Sequence, residues 1–72
     1  MNIENILNEG INILQKNKIV NSQLDSEILL SNSINRDKKY IILNPKEILN
    51  LKQLTKFKSL IERRKKGEPI AY

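Results

Sequence analysis

Cysteine and histidine are both absent from these 72 residues. Without cysteine there is no disulfide framework and no thiolate site. Without histidine a zinc site would have to be built from carboxylates alone, which zinc rarely accepts. Ser-His and Cys-His nucleophile pairs are excluded with them. No apolar run approaches the ~20 residues that a membrane span needs. The opening Met1-Asn2-Ile3-Glu4-Asn5 has no basic region followed by an apolar core, so it does not read as a signal peptide. A cytoplasmic chain with no membrane contact is the expectation. Glycine and proline are scarce, two of each, and act as punctuation between elements. There is no internal repeat and no low-complexity tract. The length allows one small domain, which buries only ~60 % of the surface of its unfolded chain and is therefore marginally stable.

Acidic residues are the minority, and the formal net charge is +5. Ile, Asn and Lys dominate, all three with A/T-rich codons, so genome composition alone can supply many of the lysines. The distribution says more than the total. Residues 1–35 hold two lysines and four acids; residues 36–72 hold eleven basic residues and four acids. An electrostatic partner is expected to meet the second half.

Apolar residues at three- and four-residue steps predict a helix over 3–16, with Ile3, Ile6, Leu7, Ile11, Ile13 and Leu14 on one broad face. Gly10 lies mid-helix, where glycine costs about 1 kcal/mol relative to alanine; close approach of a neighbouring helix is the reason expected. Asn17-Lys18 ends this helix. Asn21 or Ser22 then caps a second one, running to about Ser33, with Asp25 and Glu27 in its first turn and Leu24, Ile28, Leu29, Leu30 and Ile34 inward. Lys38 to Leu43 is a short apolar run that periodicity cannot assign. No partner strand exists elsewhere, and a lone strand would leave backbone groups unpaired, which favours one or two helical turns. Asn44-Pro45 breaks the chain. Residues 46–49 form a turn or a single helical turn. Asn50 caps the last helix, Leu51 to about Lys66, whose inward face is Leu51, Leu54, Phe57, Leu60 and Ile61. Gly67 stops it, with Pro69 two residues on. The fold class predicted is all-α: three main helices plus one or two short ones around one aliphatic core.

Catalysis has little to work with. Asp25 and Glu27 are two apart on a helix and do not face each other. There is no glycine-rich phosphate loop, and no base activates Tyr40, Tyr72 or the serines. The patterned feature is a stripe on the last helix: Lys52, Lys56, Ser59 and Arg63, with Lys66 nearby, opposite the Leu54/Phe57/Ile61 face. It suits an acidic protein face, and it equally suits the solvated back of an amphipathic helix. A nucleic-acid module is a weaker reading: the last two main helices are separated by a long insert rather than a tight turn, and no aromatics are interleaved for base stacking.

The end of the chain is the most specific stretch. Arg63-Arg64, two residues, then Gly67-Glu68-Pro69-Ile70-Ala71-Tyr72 resembles the RRxxGEPxAY signature of HemK/PrmC-type protein-(glutamine-N5) methyltransferases, which marks the junction between a helical N-terminal domain and a catalytic domain. Upstream, Asp25-Ser26-Glu27-Ile28-Leu29-Leu30 is similar to the family's DAELLL helix, with Ser26 in place of alanine. Arg36 to Leu43 is similar to the segment that follows it.

The resemblance implies that residues 1–66 are a release-factor-docking domain and that 67–72 begin the linker to a methyltransferase domain. The alternation of Ile70 and Tyr72 about a small residue also reads as the start of an extended segment leading into a further domain. The resemblance further implies a parent enzyme that uses S-adenosylmethionine to methylate the glutamine of the Gly-Gly-Gln loop of class-1 release factors, in translation termination. Its cofactor loop and its Asn-Pro-Pro-Tyr motif lie elsewhere; Asn44-Pro45 is not that motif, since Lys46-Glu47 follows. No catalytic, cofactor or metal residue is therefore expected on this chain, which should be inactive alone and monomeric. The candidate partner-binding residues are Lys52, Lys56, Arg63 and Lys66. The candidate junction residues are Arg64, Gly67, Glu68 and Pro69, with Arg64 expected to pair with a carboxylate or carbonyl. The alternatives are a structural cap on the catalytic domain and, further off, a nucleic-acid module.

Overall fold

A computed structural model describes residues 1–70. Four helices follow in order: α1 (Ile3–Lys16), α2 (Ser22–Ile34), α3 (Lys38–Leu43) and α4 (Leu51–Lys65). Helices α1, α2 and α4 pack pairwise on one another and the short α3 lies against α2. The fold is the expected all-α bundle, and the ambiguous 38–43 run is a helix. Its Asp37 cap accepts from the Tyr40 amide at 2.8 Å.

Each boundary has a local cause. The Asn2 side chain accepts from the Asn5 amide and opens α1. Left-handed Lys18 turns the chain out of it. Asn21 precedes α2 without a side-chain cap bond, and α2 ends at left-handed Asn35. Asn50 and Gln53 form a reciprocal capping box at the start of α4, which satisfies two otherwise unpaired amides. Gly67, at a φ of 95°, follows α4 in a conformation that a side chain resists.

The core is Ile3, Ile6 and Leu14 from α1, Leu29, Leu30 and Ile34 from α2, Ile41 from α3, Leu49, and Phe57 with Ile61 from α4. Gly10 is buried, and a Cβ placed there would stand 2.7 Å from Cζ of Phe57. The missing side chain is what lets α1 and α4 approach, as the sequence suggested.

Several inward assignments are corrected. Leu51, expected in the core, is 78 % exposed. It is the first residue of α4, and the helical turn rotates it away from the Phe57/Ile61 face. Leu24 is exposed as well, and Ile28 is only half-buried. The α2 interior is instead a row of small and polar residues, Ser22, Asp25, Ser26 and Ser33, beside its leucines. Helix α2 packs against α1, α3 and α4, and its buried serines leave room for that approach.

Of the two forms expected for residues 46–49, the chain takes the turn and not the helix: it turns at Pro45–Lys46, with the Glu47 amide on the Asn44 carbonyl at 3.2 Å. The carbonyls of Pro45 and Glu47 accept from the amides of Glu4 and Ile3 at 3.0 and 2.9 Å, and the Leu49 amide donates to Met1 at 3.1 Å. Asn2 and Ile48 make an isolated antiparallel bridge. The first amides of a helix lack partners within it; here a loop more than forty residues away supplies them.

Candidate partner face and chain exit

The junction candidates converge at the end of α4, where two adjacent arginines make different contacts. Arg64 reaches across to α2: its Nε donates to Asp25 Oδ2 at 3.0 Å and its Nη1 to the Glu68 backbone carbonyl at 3.1 Å. The Asp25 side chain is 3 % exposed and that of Arg64 24 %. This is a buried carboxylate met by a guanidinium at the edge of the core. Arg64 thus holds the carboxylate and the carbonyl expected of it. Sequence reasoning places Asp25 at the start of α2, in its first turn, and does not count it among the inward residues. Its position four residues before Leu29, on the same helix face, was the available signal that it points inward.

Arg63 works on the solvent side. Its guanidinium grips the Glu68 carboxylate through Nε at 3.0 and 3.1 Å and through Nη2 at 2.6 Å. The paired Arg63 holds the Glu68 carboxyl below its ordinary value, and Glu68 raises Arg63 in turn. One arginine therefore fixes the backbone of Glu68 and its neighbour fixes the side chain. Gly67 makes the turn between them, and its amide donates to the Arg64 carbonyl at 2.9 Å. Residues 68–70 then line a small cavity of about 130 Å³ with Leu29, Asn32 and Leu60. Tyr72 lies outside the described residues, and so does the extended segment expected there.

Lys52, Lys56 and Arg63 do share one surface. With Leu51, Thr55, Ser59 and Leu60 they line a shallow, open groove of about 740 Å³ along α4, and no carboxylate is among its lining residues. Lys66 does not line it; it caps the end of α4. Arg63 is engaged by Glu68, whereas Lys52 and Lys56 have no carboxylate within ion-pair distance among the described residues. Sequence reasoning missed the apolar members of this region. Ile42, Leu43, Ile48 and Leu51 all stand exposed within ten residues of chain. A run of apolar residues reads as core unless the packing is known.

Two further contacts brace α3 and the loop after it. The Tyr40 hydroxyl donates to Glu47, and Arg36 lies 4.6 Å from the Tyr40 ring centroid. The bond to Glu47 holds the phenol above its ordinary value. No group of three or more possible metal ligands occurs among the described residues, and no helix is long and apolar enough to cross a membrane. Phe57, the aromatic on α4, is in the core, so the basic face offers no stacking platform.

These features define a small helical bundle whose chain exit is clamped by its own arginines and whose last helix presents a basic groove. The PrmC N-terminal domain family matches residues 5–72, and the chain belongs to that family. It is 41 % identical over 70 residues to a bifunctional methyltransferase of Rickettsia bellii, a match that covers 97 % of this chain and 13 % of that protein. It is 33 % identical over all 72 residues to the release factor glutamine methyltransferase of Aliivibrio fischeri and 32 % to that of Clostridium botulinum, covering 25 % of each. The chain thus spans a quarter or less of the length of these relatives. No solved structure matches it.

Proposed function

We propose that this domain holds the substrate of a release factor glutamine methyltransferase. The catalytic domain would supply S-adenosylmethionine and the chemistry at the glutamine of the Gly-Gly-Gln loop, and the domain described here would hold the release factor. The observation that carries the reading is the basic groove of α4, which has two unpaired lysines and no carboxylate among its lining residues. It lies on a family member whose relatives are named for release factors. The clamp at Glu68 supports a junction role for Arg64, Gly67, Glu68 and Pro69, because a docking domain must be held at a set angle to the active site it serves.

The test is deletion of residues 1–66 from a methyltransferase that carries this domain. S-adenosylmethionine binding is expected to stay intact while kcat/KM for the release factor falls by about a hundredfold, the scale on which lost positioning acts. Methylation at the undiminished rate would remove docking as the role.

A structural cap is the second reading. It is favoured by the fact that Arg63 and Arg64, the two arginines at the end of α4, are both engaged within the domain. On that reading the deletion lowers the melting temperature of the catalytic domain and leaves KM for the factor unchanged.

A further inference from the structure

The apolar residues that the fold leaves outside bear on the proposed docking role and specify it further. Ile42 is 60 %, Leu43 65 %, Ile48 71 % and Leu51 78 % exposed. Elsewhere among the described residues, only Met1, Val20 and Leu24 are large apolar side chains left comparably open. Singly exposed apolar residues are ordinary, but four within ten residues of chain are more than a small domain leaves open by chance. These four come from the end of α3, the loop that braces the N-terminus, and the first residue of α4. That loop is held by three backbone hydrogen bonds to residues 1–4, so the side chains are displayed on a fixed frame.

Leu51 is also the first residue of the α4 groove. The apolar edge and the basic groove therefore meet at one side chain. The lysines along this surface, Lys52 and Lys56, have no carboxylate partner among the described residues. Arg63, at the far end, is already paired with the Glu68 carboxylate. The span from Leu51 to Arg63 is about 18 Å along the helix axis, enough for roughly three turns of a second helix laid alongside.

We infer that this surface takes an acidic amphipathic helix of the partner protein, with its carboxylates set against the row of Lys52 and Lys56 and its aliphatic side chains set against Ile48 and Leu51 on one side of that row and Leu60 on the other. Grooves of this kind read a helix through apolar anchors at three- and four-residue spacing. Charge complementarity sets orientation and rejects basic competitors. The inference rests on the docking role for its biological partner, but the chemistry of the face can be tested without it.

The experiment uses the 72-residue chain, isotope-labelled, and two synthetic helical peptides. Both carry leucine at every third and fourth position. One is flanked by glutamates, the other by lysines at the same places. The acidic peptide is expected to shift the resonances of Ile48, Leu51, Lys52, Lys56 and Leu60, and the basic one to leave them in place. K52E/K56E and I48S/L51S are each expected to weaken the acidic peptide by about tenfold or more. K16E/K18E, at the other end of the bundle, should change it by less than twofold.

All six substituted side chains are exposed, and an unchanged amide spectrum outside the face checks that each variant folds. Equal binding of both peptides, binding elsewhere, or indifference to K52E/K56E overturns the inference. So does co-sedimentation with anionic phospholipid vesicles in place of peptide binding. A class-1 release factor is then added as competitor. Displacement of the acidic peptide joins the two readings. Failure of the factor to bind at all, with the peptide still bound, rejects release-factor docking and leaves the face's chemistry standing.

Discussion

Arg63 and Arg64 are neighbours of equal charge, and each touches a carboxylate, yet their surroundings separate them. The Arg63–Glu68 pair is open to water on both sides, and exposed pairs contribute about 0–1 kcal/mol. Arg64 faces Asp25, which is inside the bundle. Removing Arg64 leaves a buried carboxylate without its counter-ion, a change that costs about 3 kcal/mol where burial is this deep. Urea denaturation should therefore find R64A far less stable than R63A. Equal midpoints would show that Asp25 is hydrated rather than held by Arg64. Ser26 makes the opposite case. It is fully buried and its hydroxyl has no hydrogen-bond partner. S26A should raise stability by about 1 kcal/mol, because a desolvated, unsatisfied hydroxyl is removed and almost no volume is lost. A lower midpoint for S26A would mean that the hydroxyl is satisfied in solution.

Between elements, the α1–α4 crossing depends on Gly10. Alanine there gains about 1 kcal/mol of helix propensity. It also drives a methyl to 2.7 Å from the Phe57 ring, and overpacking of this kind costs about 1–3 kcal/mol. The ring is buried and stiff, so the clash should win. G10A is expected to be less stable than the parent by about 1 kcal/mol, and G10A/F57L to recover part of the loss in thermal melts. A G10A chain more stable than the parent would show that the helices can separate at no cost.

The exit after α4 is also held by contacts between segments, and one of them titrates. Glu68 has its carboxyl lowered by the hydrogen bonds from Arg63 and, less strongly, by the charges of Arg63 and Lys66. A lowered carboxylate contributes fully above the ordinary glutamate range, near pH 4.3, and the contribution disappears as the pH falls through the lowered value. NMR should therefore report the Gly67 and Ile70 amides unchanged from neutral pH down to about 4.3 and moving only below it. The Arg64 contact to the Glu68 carbonyl has no such dependence and should persist. A Glu68 carboxyl that titrates like a free glutamate would show the Arg63 grip to be transient in water.

For the molecule as a whole, three main helices with local contacts imply fast folding from a shallow stability. The chain is compact, with a radius of gyration of 10.9 Å, near the ~11 Å expected for its length. It should show helical far-UV dichroism at neutral pH and refold in milliseconds or less. Random-coil dichroism or a second-scale refolding phase would contradict this picture. The long-range tie that could slow it is the bracing of residues 1–4 by the 45–49 loop.

Much of this architecture was legible beforehand because helix formation is local. Asn50 and Gln53 announce a cap by their spacing alone. The three- and four-residue steps of Ile3, Ile6 and Leu14 place them inside, and Gly67 with Pro69 ends the last helix. The stripe of Lys52, Lys56 and Arg63 follows from the helical period and is found on one groove. Other features waited for the tertiary structure, because they depend on which segments meet. Asp25 is the partner of Arg64 only because α2 and α4 pack side by side, 39 residues apart in the chain. Leu51 is apolar and three residues before Leu54, yet it lies outside because the helical turn rotates it away from the Phe57/Ile61 face that packs inward. The 45–49 loop turns at Pro45–Lys46 and does not go on as a helix, because the carbonyls of Pro45 and Glu47 are taken by the unpaired amides of α1. Sequence alone thus determined the helices, their ends and the basic face, all of which are set by contacts within a few residues. Only the packing decided which polar groups are buried in pairs and which apolar groups remain to meet a partner.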